Sequence, residues 1–151
     1  MRRSDREITE TVEIDEILSA GRIMRLALCD GGMPYVVPLN FGRRGKKVYF
    51  HCAVEGKKLD ILRRNPRVAL EVTTDLLILD APVPCGWTTK YRCVMGFGTA
   101  RILEAEEERL DGLAVIMEHH GGPVTGFNPA ALLKTAVVEI IVDNFTGKRK
   151  M

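Results

Sequence analysis

Short apolar runs that alternate every second residue fill much of this chain, and they constrain its fold more than any other feature. The runs cover residues 22–30, 33–41, 48–53, 67–79, 91–103 and 135–145. Long helices do not alternate with these runs, as they would in a doubly wound parallel sheet. The pattern therefore predicts a mainly β protein, a small antiparallel β-barrel with short peripheral helices.

Helix-like periodicity is limited to three segments, which cover residues 7–20, 57–65 and 104–122. The first predicts a short opening helix or helix pair with Gly21 as its C-cap. The second predicts a two-turn helix that is closed before Pro66, because the residue before a proline disfavours helical geometry. The third segment is amphipathic. All three are expected at the periphery of the barrel.

Turn signals indicate how consecutive strands connect. The Asp-Gly-Gly sequence at 30–32 predicts a hairpin, and the glycines within 42–47 predict a second turn. We therefore expect a three-strand meander between about residues 22 and 53. The next strand is expected to break near Thr74 and Asp75, and the last strand is expected to end before a basic tail.

Composition limits the class of protein. With 151 residues, 46% of them hydrophobic, the chain suits a single domain over residues 1–151. No apolar run reaches the roughly 18 to 20 residues that span a bilayer, and the N-terminus is charged and unlike a signal sequence, so we expect a soluble cytoplasmic protein without membrane contact.

The spacing of the cysteines and the net charge argue against a metal site and against nucleic-acid binding. The four cysteines contain no Cys-x-x-Cys pair, so we expect reduced thiols and no metal site. The net charge is only +2, which gives no electrostatic reason to bind nucleic acid. The basic residues that a nucleic-acid site would have to use are Arg43, Arg44, Lys46, Lys47, Arg63 and Arg64.

Two lysines stand where a helix would normally carry acids. In "HCAVEGKKLDIL", Lys57 and Lys58 open the predicted helix after Gly56, although the first turn of a helix already carries about half a positive charge. Free amides and two ammonium groups together suit a phosphate. The alternative is a pair of solvated surface lysines in a loop.

Two strands contain residues that weaken an ordinary ladder. Pro38 interrupts "YVVPLNF", which predicts an edge strand whose unpaired backbone either faces a planar ligand or simply discourages aggregation. Gly96 and Gly98 share one face of the strand over 91–103. They permit either the close approach of a ligand or a tightly bent barrel corner.

Four segments together resemble a known superfamily. They are "MRLALCDGGMPYVVPLNFG", "KKVYFHCAVEGKKLDILRRNPRVALEV", "YRCVMGFGTARIL" and "DNFTGK", and the likeness covers about residues 8–148. The sequence resembles the FMN-binding split barrels related to pyridoxamine 5'-phosphate oxidase, and within them the nitroimidazole resistance or reductase branch. The resemblance implies a six-stranded antiparallel split barrel that binds FMN at the interface of a homodimer.

The resemblance also implies where the cofactor binds. The flavin ring is expected beside Val37, Pro38, Leu39 and Asn40, mainly through their backbone. The ribityl chain and phosphate are expected along His51, Cys52, Ala53, Glu55, Gly56, Lys57 and Lys58, with the two lysines as the anionic anchor. The partner chain is expected to cover the flavin with Trp87, Tyr91, Cys93 and Val94. For Trp87 the alternative is a small hydrophobic cluster of its own.

His51 is the candidate catalytic residue. Alternation places it on the same face as Tyr49 and Ala53, and the resemblance places it near the flavin, where it could give a proton or hydrogen bond to a substrate. The alternative is a hydrogen-bonded histidine in the barrel wall.

The resemblance implies an oxidoreductase that moves electrons from a reduced nicotinamide or another donor to a small organic acceptor. The chain lacks the arginine-rich C-terminal segment of pyridoxamine phosphate oxidases proper, so we do not expect their substrate. A non-enzymatic flavin-binding or redox-sensing protein is the alternative. A deazaflavin or haem is the alternative cofactor.

Overall fold

The computed structural model describes residues 3–151, within which there are eight strands and four α-helices. The strands are β1 Glu7–Ile8, β2 Ile23–Asp30, β3 Met33–Asn40, β4 Gly42–Arg44, β5 Lys47–Ala53, β6 Arg67–Leu79, β7 Thr88–Ile102 and β8 Thr135–Lys150. The helices are α1 Thr11–Ala20, α2 Lys57–Arg64, α3 Glu106–His119 and α4 Pro129–Leu132. Single 3₁₀ turns occupy Ser4–Arg6 and Pro84–Gly86.

The strands form one antiparallel sheet in the order β3-β2-β6-β7-β8-β5-β4, with β1 paired to β8. This architecture confirms the predicted mainly β split barrel. The number of strands is eight and not six, because two very short strands, β1 and β4, were not recognisable from a two- or three-residue pattern.

The predicted three-strand meander is wrong. The hairpin of β2 and β3 forms as expected, but β5 pairs with β4 and β8 instead of β3. The chain leaves β3 at Phe41, which is buried in the barrel, and then turns back through Gly45 to make the β4–β5 hairpin. Alternation identifies a strand but carries no information about a partner that lies ninety residues away.

The two ends of the chain also differ from expectation. Residues 7–20 form a short strand and a single helix, because Glu7 and Ile8 pair with Lys148 and Gly147 of β8. The last strand does not stop before the basic tail. It continues to Lys150 along β7, so the tail belongs to the sheet.

The break predicted near Thr74 and Asp75 is instead a bulge within one continuous strand. The register of β6 against β7 shifts between Thr74 and Leu77, and Asp75 has a φ of 54°. The strand continues beyond this bulge to Leu79. Gly21 is the C-cap of α1, as predicted, although its backbone is extended.

Two hydrophobic clusters pack on opposite faces of β5. The barrel interior contains Val48 and Phe50, while Tyr49 faces a second cluster beneath α3. Helix α3 can approach closely because β4 begins with Gly42, where a Cβ atom would lie 2.5 Å from the carbonyl oxygen of Val115. The helix therefore covers the outer face of the first half of β5.

The buried carboxylate of Glu139 on β8 connects the neighbouring strands β5 and β7 through hydrogen bonds. Glu139 is only 3% exposed and accepts hydrogen bonds from the Tyr49 hydroxyl at 2.9 Å, Lys47 at 2.9 Å and Arg101 at 3.0 Å. Burial raises the pKa of Glu139, but its three donors outweigh burial and leave that pKa below its ordinary value. Burial and the neighbouring carboxylate raise the pKa of Tyr49 to about 12.

Two histidines at the end of α3 form hydrogen bonds to the backbone at Gly21 and Phe41. The Nε2 atom of His119 lies 2.7 Å from the Gly21 carbonyl oxygen, and its ring centroid lies 4.6 Å from that of Phe41. The Nε2 atom of His120 lies 3.1 Å from the Phe41 carbonyl oxygen. Burial lowers the pKa of His119, and the charges of His120, Arg22 and Arg43 lower it further against the opposing hydrogen bond to Gly21.

This lowered pKa predicts an acid-sensitive contact. Because the unfolded chain takes up the proton near its ordinary pKa of 6.5 while folded His119 resists it, the free energy of unfolding should fall as the pH drops from about 7.5 to about 5. Urea titrations should show a weaker pH dependence for His119→Gln, which can keep a donor for Gly21. An unchanged dependence in His119→Gln would contradict this account.

Candidate functional site

A cleft of about 210 Å³ lies between the end of β5 and the start of α2. Its lining comes from β3, from the end of β5 and from the first turn of α2. The lining residues are Tyr35, Cys52, Ala53, Glu55, Gly56, Lys57, Lys58 and Leu59. The structure thus brings together six of the residues predicted for the ribityl and phosphate segment, and it adds Tyr35 and Leu59.

The backbone at the start of α2 leaves amide groups available to a ligand. Gly56 is the N-cap with φ 128° and ψ 162°, a conformation that favours glycine. Its carbonyl oxygen accepts hydrogen bonds from the amides of Leu59 at 2.9 Å and Asp60 at 3.2 Å. The amides of Lys57 and Lys58 precede those that bond the Gly56 carbonyl, so no helix carbonyl reaches them, and glycine has no side chain to cap them. The helix therefore begins with two donors that the helix itself does not engage.

The two lysines add positive charge at this end of α2. The Nζ atom of Lys57 lies 5.0 Å from the ring centroid of Tyr35, and the Nζ atom of Lys58 lies 5.9 Å from that of Phe50. Within residues 3–151 neither ammonium group forms an ion pair, whereas Arg63 in the last turn of the same helix pairs with Asp60. Helix dipole, amides and lysines all favour an anion in the cleft.

Cys52 is a neutral thiol on the wall of this cleft. Burial raises the pKa of Cys52, although the nearby charge of Lys58 lowers it in part. The thiol is therefore protonated near neutral pH and acts as a small, partly apolar wall.

His51 does not line the cleft. Its side chain is exposed on the opposite face of β5 from Cys52, beyond the part of that face which α3 covers above Tyr49. The structure thus separates the proposed catalytic histidine from the two lysines within this chain. Its role near a flavin stays a prediction.

Strand β3 lies at the edge of the sheet, as Pro38 predicted, because its only partner in the described sheet is β2. Val37 and Leu39 pack against the barrel core together with Tyr35. Pro38 and Asn40 face outward and are exposed. A ligand on this edge would therefore meet the backbone of the strand and the side chains of Pro38 and Asn40.

The segment predicted to cover a flavin from the partner chain is divided by the structure. Tyr91 and Cys93 lie on the outer face of β7, and burial raises the pKa of the Cys93 thiol. Val94 is completely buried in the barrel, because β7 alternates and turns its side chain inward, so only its backbone could approach a partner's flavin. The role of this segment as a cover stays a prediction. Trp87 is 56% exposed, and its Nε1 donates a hydrogen bond to the Ala81 carbonyl oxygen.

Gly96 and Gly98 serve the packing of the barrel. A Cβ atom at Gly96 would lie 2.9 Å from Val142, and one at Gly98 would lie 2.5 Å from the Ile141 carbonyl oxygen. The register of β7 against β8 shifts between Phe97 and Gly98. Of the two sequence interpretations, the bent barrel corner agrees with these contacts.

The sequence profile of the pyridoxamine 5'-phosphate oxidase family matches residues 10–149. The chain belongs to the pyridoxamine 5'-phosphate oxidase family. A candidate 5-nitroimidazole antibiotic resistance protein from Bacteroides thetaiotaomicron is similar in structure, with a TM-score of 0.84 and 27% identity over 95% of this chain and 86% of that one.

Other solved structures share the fold at lower sequence identity. A flavocytochrome from Azotobacter vinelandii has a TM-score of 0.83 at 19% identity, covering 100% of this chain and 72% of that one. An FAD-binding protein from Mesorhizobium loti has a TM-score of 0.69 at 23% identity, covering 97% and 98%. An uncharacterized protein of Rhizobium meliloti is 35% identical over 60 residues, which are 40% of this chain and only 39% of that relative's length.

The remaining predictions concern membranes, metals and nucleic acid. No helix within residues 3–151 has the length and hydrophobicity needed to cross a bilayer, and the same residues bring together no group of three or more potential metal ligands. The six basic residues considered for nucleic acid all have partners. Arg43, Arg44, Lys47, Arg63 and Arg64 pair with carboxylates, and Lys46 donates to the Asp143 carbonyl oxygen.

Proposed function

We propose that the protein is an FMN-binding flavoprotein and an oxidoreductase of the nitroimidazole-reductase-like type. It would pass electrons from a reduced nicotinamide or another donor to a small organic acceptor. The observation that carries this proposal is the cleft at the start of α2, where Lys57 and Lys58 form no ion pair within residues 3–151 and the first helix amides have no helix carbonyl to bond. A cytoplasmic location is part of the proposal.

The residues present fit a flavin that ends in a single phosphate. A cleft of about 210 Å³ suits one phosphate group, which Lys57, Lys58 and the first amides of α2 would hold by charge-assisted hydrogen bonds. The edge of β3 would orient the ring through the backbone near Pro38 and Asn40. Bound FMN supplies the two-electron chemistry, and the protein supplies position and electrostatics.

Family membership and one neighbour support this choice. The neighbour from Bacteroides thetaiotaomicron, at 27% identity, is named for 5-nitroimidazole resistance, which agrees with reduction of a nitro group. The neighbours named as flavocytochrome or FAD-binding are 19–23% identical and support the fold alone. We propose FMN, whose single phosphate Lys57, Lys58 and the first amides of α2 would hold.

We also propose a homodimer with the flavin at its interface. Val36, Ala27, Ala69 and Phe97 are neighbours in register across β3, β2, β6 and β7, so they form an apolar row on the outer face of the sheet. Val36 is 57% and Phe97 is 60% exposed. The row reaches the edge strand that would hold the ring, which gives a second copy a surface beside the flavin.

A non-enzymatic flavin-binding or redox-sensing protein is the second candidate. It is favoured by the position of His51 outside the cleft and by the protonated thiol of Cys52. Neither group offers proton transfer within the cleft of one chain. Binding of nucleic acid has no support from the basic residues, since acids or a carbonyl group already engage them.

Substitution of the lysines tests the phosphate site. Lys58→Ala, and to a lesser degree Lys57→Ala, should weaken FMN binding by about tenfold to a hundredfold, because charge-assisted hydrogen bonds contribute about 1.5–3 kcal/mol. Fluorescence titration with FMN measures the effect. Lys46→Ala is the matched control, since Lys46 lies directly before the first residue of β5, about 20 Å from α2 along the strand. Equal effects of all three variants would argue against the site.

A turnover assay separates the enzyme from the binding protein. We expect the FMN-loaded protein to oxidise NADH or NADPH steadily when a nitroimidazole or quinone is present, faster than the same concentration of free FMN. Lys58→Ala should lose rate at low FMN and recover it at saturating FMN, because the substitution affects cofactor occupancy. Tight FMN binding without turnover would select the non-enzymatic alternative.

The apolar row predicts the effect of a charge on assembly. Phe97→Asp should raise the dimer dissociation constant by at least about tenfold, because an interface centre tolerates an unpaired carboxylate poorly. Sedimentation velocity measures the change. Val12→Asp, which alters an apolar residue of α1 that is 71% exposed, should leave the association unchanged. A Phe97→Asp protein with unaltered association would place the second copy elsewhere.

A further inference from the structure

Tyr35 connects two parts of the cleft that come from distant places in the sheet. It lies on β3, the edge strand, and its ring packs partly against the barrel core with Val37 and Leu39. The same ring lies 5.0 Å from the Nζ atom of Lys57, on the first turn of α2. Tyr35 also lines the cleft itself.

The contact between Tyr35 and Lys57 joins two elements that are not neighbours in the hydrogen-bonded sheet. Four strands, β2, β6, β7 and β8, separate β3 from β5 in the hydrogen-bonded order, and α2 follows β5 directly. No backbone ladder therefore fixes β3 relative to α2 within the described sheet. Arg64 and Asn65 attach the far end of α2 to β2 through Asp30 and the Cys29 carbonyl oxygen. Tyr35 adds a contact between β3 and the first turn of α2, and its ring is partly buried against the core.

We propose that Tyr35 is a positioning residue for phosphate binding, and that it acts by holding the ammonium group of Lys57 over the cleft. The inference rests on the proposed phosphate site. A lysine has a long, flexible stem, and its order in the free protein decides how much entropy is lost when an anion binds. An aromatic face attracts the ammonium group and leaves its remaining N–H groups free for phosphate.

The contact also links the two regions that would hold FMN. The backbone beyond Tyr35 on β3 is the proposed edge for the ring, while Lys57 belongs to the proposed phosphate site. We expect Tyr35 to increase the affinity for FMN more than the affinity for riboflavin, which has the same ring but no phosphate.

Paired titrations with FMN and riboflavin test this role. Tyr35→Leu, which keeps an apolar side chain against the core, should weaken FMN binding by about twofold to fivefold, the range of an exposed cation–π contact. Riboflavin affinity should change much less, because riboflavin has no phosphate. Tyr35→Phe keeps the ring and should bind FMN like the wild type. In the background of Lys57→Ala, Tyr35→Leu should cause no further loss for FMN.

The possible results have distinct meanings. An equal loss for FMN and riboflavin in Tyr35→Leu would show a purely structural role and overturn the inference. An equal FMN loss in Tyr35→Phe and Tyr35→Leu would assign the effect to the hydroxyl group and overturn it too. If Lys57→Ala shifts the preference for FMN and Tyr35→Leu does not, the phosphate site survives and only the role of Tyr35 fails. If neither lysine substitution alters the preference, the proposed site itself fails.

Discussion

Two lysines that form no ion pair within residues 3–151, at the start of α2, are the feature on which the candidate site depends. A helix end with free amides already attracts anions, and Lys57 and Lys58 increase that field instead of cancelling it. The arrangement costs stability while the cleft holds only water, because like charges gather near a positive dipole. It becomes favourable when an anion binds, which is why we connect a local violation of helix preferences with function.

The barrel fixes the position of Lys57 and Lys58 through strand β5, which precedes α2. Strand β5 is buried on both faces along its first half, with Val48 and Phe50 inside the barrel and Tyr49 beneath α3. Its far end is open, and α2 begins there. The Glu139 network and the close contact at Gly42 hold α3 against the same strand. The buried first half of β5 thus supports the connection to α2, where the first helix amides have no helix carbonyl to bond.

Much of the architecture followed from local patterns. The strands over residues 22–30, 33–41 and 67–79, the helix that begins at Lys57 and the edge position of Pro38 agree with the structure, since alternation, turn glycines and proline act on neighbouring residues. The predicted meander failed, because the partner of β5 is β8, which lies far along the chain. The short strands failed because two or three residues show no period.

The sequence alone determined the class of fold, the family likeness and the location of the phosphate candidate, because each depends on residues that are adjacent or in a regular pattern. Only the tertiary structure decided which side chains share the cleft. It brought Tyr35 to Lys57 across the open side of the barrel, turned Val94 into the core and left His51 on the face opposite Cys52. These outcomes depend on strand pairing and barrel closure, and both arise from contacts between residues far apart in the chain.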